Sequence, residues 1–303
     1  MSRIIEKGIQ RIEALTIPSG FLKRISMWKW IRRILMIILA AVFLFSGTMI
    51  ILIQRQYSAS KKLYAQAADR YTATAATVSP AQDGKQDAAD KGENPADAAP
   101  AADENAVPIT VDFASLLEAC PDVVGWIYCE GTVINYPVVQ AADNDYYLHR
   151  NYDGNYNASG SIFVEAKNRR DFADANTIVY GHHMNNGSMF AGLEDWADQA
   201  YYESHPVMWL LTPTRDYRIE LVSGYTTSAF SDTYTIFSDS GGEMSAYLDR
   251  VMAQSDFQPK TARDDGAKYV VLSTCAYVFD NARYVLHGML VPVDSAGGIP
   301  VSR

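Results

Sequence analysis

The chain has 303 residues, 48% of them hydrophobic, and a formal net charge of −9. That balance, with no basic stripe and no glycine-rich nucleotide loop, excludes a nucleic-acid partner. Three cysteines are too few for a disulfide framework, and their odd number leaves at least one thiol free.

The first 33 residues carry eight Lys or Arg against Glu6 and Glu13, a net of +6, so the remainder sums to −9 − 6 = −15. The two regimes meet at residues 34–53, ILMIILAAVFLFSGTMIILI, twenty residues without a charge. A helix of that length covers about 30 Å and spans a bilayer, whereas a secretory signal's apolar region runs only about 7 to 15 residues. Small residues at Ser58-Ala59-Ser60 keep a cleaved signal as the alternative. Arg32 and Arg33 abut the span, and Trp28 and Trp30 stand just before it as interfacial anchors. Basic flanks stay inside, which predicts a single-pass protein of the cell membrane with residues 1–33 cytoplasmic and everything after Arg55 outside. Ile5, Ile9 and Ile12 share one face at helical spacing, predicting a helix on the inner leaflet.

Residues 54–107 read as an extracytoplasmic linker. From about residue 65 the composition is Ala, Asp, Gln, Pro and Gly with hardly a large apolar side chain, too little to offset chain entropy, which predicts a disordered tether. Pro80, Pro95 and Pro100 argue against a continuous helix. On this reading, removing residues 1–64 leaves a soluble, folded domain.

Residues 108–303 have the size of one domain. Short β-rich runs dominate: 124–129, 133–139, 160–164, 177–181, 207–212, 217–226, 268–275 and 283–291. Helical periodicity marks 113–119, 189–196 and 244–254. Eight short strands with few helices predict a mainly β fold, a closed or nearly closed barrel, because closure removes exposed edges.

The last two runs form a hairpin carrying Cys275. Alternation puts Ser273 and Cys275 on one face, and a loop at 276–282 would pair Cys275 with Arg283, their Cβ atoms about 4.5 to 5.5 Å apart. A guanidinium there favours the thiolate; the alternative is a small buried hydrophobe ending a strand. Upstream, the run NTIVYGHHM is a strand ending in a glycine turn that presents a histidine, which exchanges protons near neutrality. A turn histidine or a metal ligand are the other readings, but adjacent histidines on extended backbone point apart and no carboxylate or Cys spacing completes a metal site. His149, His205 and His287 read as structural. Cys120 and Cys129 could pair, or Cys129 could fill the core.

Several spaced motifs together resemble the class B sortases, membrane-anchored cysteine transpeptidases of the Gram-positive cell wall, formally of the hydrolase and peptidase class. They are Gly125-Trp126-Ile127, Gly131-Thr132 with Ile134-Asn135-Tyr136-Pro137-Val138-Val139-Gln140, Asn144 with Tyr147-Leu148, Gly160-Ser161-Ile162-Phe163, Tyr180-Gly181-His182-His183-Met184 and Leu272-Ser273-Thr274-Cys275. Val271 stands where that family usually has threonine, and is expected to be a strand filler facing away from the chemistry. The resemblance implies an eight-stranded sortase barrel with a helix between strands six and seven, and no cofactor. It makes Cys275 the nucleophile, His182, which directly follows the glycine, the acid/base, and Arg283 the transition-state cation. Asn144, Leu148, Tyr180 and Ser273 match positions lining the sorting-signal groove. The implied partners are surface proteins with an NPxTx-like C-terminal sorting signal and an amine of a peptidoglycan precursor. Pilin polymerisation, a cell-wall cysteine peptidase that hydrolyses its acyl-enzyme, and a catalytically silent tethered binding domain are the alternatives.

Overall fold

The computed structural model describes residues 19–75 and 106–293. The predicted inner-leaflet helix and residues 76–105 of the predicted linker lie outside them. The chain divides into two compact units, residues 1–55 and 56–303.

Helix α1 (Ser19–Tyr71) is, among the described residues, the one helix long and apolar enough to cross a membrane. Its apolar side chains from Ile34 to Ile53 are exposed, Phe43 at 78%. In the second unit α1 departs from the predicted linker. Residues 56–71 remain helical and are followed by β1 (Thr72–Thr74), which pairs antiparallel with β2 (Ile109–Val111). The cause is a buried stripe at helical spacing, Ser60, Tyr64, Ala67 and Tyr71, one above another on one face. Tyr64 meets the Tyr136 ring edge-on at 5.4 Å and donates its hydroxyl to the Gly160 carbonyl. Ala67 and Tyr71 pack with Leu116, Trp126 and Trp209. The globular unit therefore starts before residue 64, and the expectation that a cut there spares the core is corrected.

Helix α2 (Phe113–Ala119) is capped by Asp112, whose carboxylate accepts from the Ser115 backbone N–H at 3.0 Å. The eight predicted strands all form: β3 (Val123–Tyr128), β4 (Asn135–Val139), β5 (Ile162–Val164), β6 (Asn176–Tyr180), β7 (Val207–Leu211), β8 (Asp216–Ser228), β9 (Lys268–Cys275) and β10 (Ala282–Val293). They close in the order β10-β8-β7-β3-β4-β5-β6-β9, parallel at β4–β5 and β6–β9 and antiparallel elsewhere. Period-two alternation sends Val138, Ile162, Val179, Leu210, Leu221, Leu272 and Leu286 into one interior cluster. The opposite faces of β6, β8, β9 and β10 are covered by α4 (Gly242–Ala253), through Tyr247, Leu248 and Val251 against Ile178, Val222, Val271 and Val285. Helix α4 lies between the sixth and seventh barrel strands, as expected. The run at 189–196 is instead a 3-10 helix, Ala191–Ala197, leading into α3 (Gln199–Ser204).

His287 is structural, as expected. Its Nε2 faces the Tyr247 hydroxyl at 2.8 Å and its ring stacks on Tyr225. Burial lowers its pKa from 6.5 to about 3, so the folded chain keeps it neutral where an unfolded chain protonates it. Its stabilising contribution is full above 6.5 and is lost as pH falls toward 3, at most about 1.4 kcal/mol per pH unit. Denaturation midpoints measured from pH 7 to 4 should therefore fall more steeply in the wild type than in His287→Gln; parallel curves would contradict this.

Candidate active site

Strand β9 ends at Cys275, which is half-buried and unpaired. The hairpin closes as read from sequence: Cys275 stands opposite Arg283, and the Ala276 N–H donates to the Ala282 carbonyl at 2.9 Å. On its other side Tyr180 of β6 registers with Ser273, and the Gly181 N–H donates to the Ser273 carbonyl at 3.1 Å. A Cβ at Gly181 would lie 2.6 Å from both Ile162 and Phe190 side-chain atoms. Only glycine lets the chain turn off β6 that close to the core, and the turn delivers His182.

His182 Nε2 donates to the Leu148 carbonyl at 2.7 Å, which leaves Nδ1 with the free lone pair of the neutral ring. Burial is the main cause of a pKa below the ordinary imidazole value, helped by the nearby His149 and opposed by the Leu148 hydrogen bond. The ring is thus neutral at neutral pH, ready to accept a proton. His149, read from sequence as structural, stacks on it at 5.8 Å and 19°.

A single cleft of about 370 Å³ is lined by all seven residues singled out in the sequence: Cys275, His182, Arg283, Ser273, Tyr180, Asn144 and Leu148. His183 is elsewhere. Its Nδ1 donates to the Cys275 carbonyl at 2.8 Å and it lines a separate cavity. Geometry therefore separates the two adjacent histidines, one facing the cleft and the other bracing the backbone of Cys275.

Sequence reasoning missed Tyr234, from a 3-10 turn (Asp232–Tyr234), whose hydroxyl hydrogen-bonds the Ser273 hydroxyl at 2.8 Å and whose ring stacks on Tyr180 at 6.3 Å. It also missed Glu165. That side chain accepts from Asn144 and from the Tyr180 hydroxyl. Val271 corrects an expectation too: it alternates onto the same face as Ser273 and Cys275, but lies fully buried under α4. It fills the strand without facing away from it. Cys120 and Cys129 are both free, with Cys129 in the barrel interior and its pKa pushed up to about 12 by burial.

No family model matches the chain. It is 36% identical over 173 residues to Sortase B of Listeria monocytogenes, an alignment covering 56% of this chain and 70% of that protein. The chain belongs to the class B sortases. To Sortase B of Staphylococcus aureus this sortase is 30% identical over 183 residues, 60% of its own length and 75% of the relative's. Among solved structures it resembles sortase B from Bacillus anthracis in complex with AAEK1, with a TM-score of 0.60 and 31% identity over 78% of this chain and 99% of that one. The Staphylococcus aureus sortase B–substrate complex aligns with a TM-score of 0.57 and 29% identity, over 60% of this sortase and 85% of that chain. The expected eight-stranded barrel is thus the barrel of the family, and the chain is an enzyme of the sortase transpeptidase family.

Proposed function

We propose that this sortase cleaves a C-terminal sorting signal similar to NPxTx after its threonine and transfers the protein to an amine of a peptidoglycan precursor. The observation that carries the reading is the meeting of Cys275, His182 and Arg283 in one cleft, with Arg283 in register opposite Cys275. That a relative is described in complex with its substrate supports a peptide substrate for this sortase.

His182 takes the thiol proton, and Cys275 sulfur attacks the threonine carbonyl carbon to give a tetrahedral oxyanion. Arg283, with one N–H on the Ala282 carbonyl at 2.9 Å, has further donors for that oxyanion. The C–N bond breaks as the leaving amine takes the proton from His182, leaving a thioester. An incoming amine then attacks the thioester and gives its proton back to His182. Sulfur leaves as thiolate, and no cofactor enters.

A mobile point charge at 283 is insufficient on this account. Arginine's planar fork makes two parallel hydrogen bonds, so Arg283→Lys should lose at least about tenfold in turnover, roughly 1.4 kcal/mol of barrier. Near wild-type cleavage of a class B peptide by that variant would refute the role. The same reading places residues 34–53 across the cell membrane, residues 1–33 in the cytoplasm and the barrel outside, supported by the basic flank before the apolar helix.

A further inference from the structure

Two of the cleft residues are tied to one atom. Glu165 directly follows β5 and is buried, 7% exposed. Its Oε2 accepts from Asn144 Nδ2 at 2.7 Å and from the Tyr180 hydroxyl at 3.0 Å, while Oε1 accepts from the Lys167 backbone N–H at 3.2 Å. Asn144 is held at its other end as well, where Oδ1 accepts from the Ala166 N–H at 2.8 Å. Tyr180 is clamped between Phe163, with ring centroids 5.4 Å apart, and Tyr234.

A carboxylate only accepts, and this fixes what each donor has left. The Tyr180 hydroxyl gives its single hydrogen to Glu165, so toward the cleft it offers lone pairs alone. Asn144 has one carbonyl lone pair on the Ala166 N–H and one amide hydrogen on Glu165, which fixes the orientation of the amide and leaves its second N–H as the free donor. The wall therefore carries an acceptor at Tyr180 and a donor at Asn144, neither able to switch roles while both keep their bonds to Glu165. An extended peptide offers the complementary pair, one N–H and one C=O per residue.

We propose that Glu165 is a positioning residue that sets the hydrogen-bond polarity of the cleft wall, through Tyr180 and Asn144, to match a peptide backbone. Its carboxylate touches neither sulfur nor imidazole, so it acts on binding and leaves the thiol chemistry alone. The inference rests on the peptide-transfer reading above, and wild-type turnover of the same peptide tests that reading separately.

Glu165→Gln has nearly the same shape but turns one acceptor into a donor, so either Tyr180 or Asn144 must release its bond and reorient. With a fluorogenic class B sorting peptide, KM should rise about fivefold, the scale of one hydrogen bond lost, while kcat stays within about twofold. Iodoacetamide alkylation of Cys275, which needs no groove, should keep its wild-type rate. Adding Tyr180→Phe to Glu165→Gln should cost less than the two single losses combined, because both act through one contact. An unchanged KM in Glu165→Gln alongside a competent wild type would overturn the inference alone. So would additive effects, or kcat and alkylation falling in step with a rising KM, since these would mark a residue that only supports the fold.

Discussion

Replacing Cys275 by alanine should lower turnover of a sorting peptide by at least about 10⁴-fold, and His182→Ala should approach the same floor because nucleophile and base act as a unit. Among the described residues, no second cysteine or histidine lines the cleft. Cys120 and Cys129 are buried, and neither lines the cleft. His183 adjoins His182 in sequence, but its Nδ1 already serves the Cys275 carbonyl and its ring lies against Tyr277 at 5.2 Å. The change at 275 is small in volume at a half-buried strand end, so melting temperature should move little while activity disappears. Residual turnover of Cys275→Ala above about a hundredth of wild type would remove the nucleophile assignment.

The second large effect concerns folding. Tyr64 is 3% exposed and joins the barrel's interior cluster with Tyr136 and Val138. Tyr64→Ala would empty an aromatic-sized site and strip the Gly160 carbonyl of its donor. By analogy with other buried aromatics the cost is about 3–5 kcal/mol, or roughly 10 °C in melting temperature for a unit of this size. A chain starting at Gln56, where the globular unit begins, should melt like the full-length domain. A chain starting at Thr72 should melt far lower, since it loses Tyr64, Ala67 and Tyr71 together. Equal melting of those two chains would show that α1 adds nothing to the core.

Why the sequence concealed this helix segment is instructive. Residues 65–71, AQAADRY, share the composition of the spacer that follows, and composition averaged over a window hides two buried side chains, Ala67 and Tyr71. The 64, 67, 71 spacing is the only mark of a helical stripe that extends the apolar helix by some turns, and the composition outweighs it. The β-strands were legible because alternation is a short-range signal, and a loop near 276–282 made the Cys275–Arg283 pairing an available register, which the hairpin adopts. Tyr234 and Glu165 carried no such mark. Tyr234 lines the cleft from a 3-10 turn, and Glu165, directly after β5, touches it only through Asn144 and Tyr180; both placements depend on the barrel closing β6 against β9. His149 was equally opaque: its stacking on His182 depends on the path between β4 and β5, which no periodicity sets.

The central claim, that Cys275 forms an acyl-enzyme resolved by an amine, is tested most directly by partitioning. A thioester reacts readily with amines, and an enzyme that joins proteins to the wall gains nothing by releasing its substrate as a free acid. The purified enzyme should be given a fluorogenic class B sorting peptide with and without hydroxylamine or a glycine oligomer, and its products weighed by mass spectrometry. The account predicts that the amine speeds turnover and diverts product to the hydroxamate or the new amide, with a Cys275 acyl adduct detectable at early times. Free acid as the sole product, at a rate indifferent to every amine offered, would contradict it and identify a hydrolytic cell-wall peptidase instead.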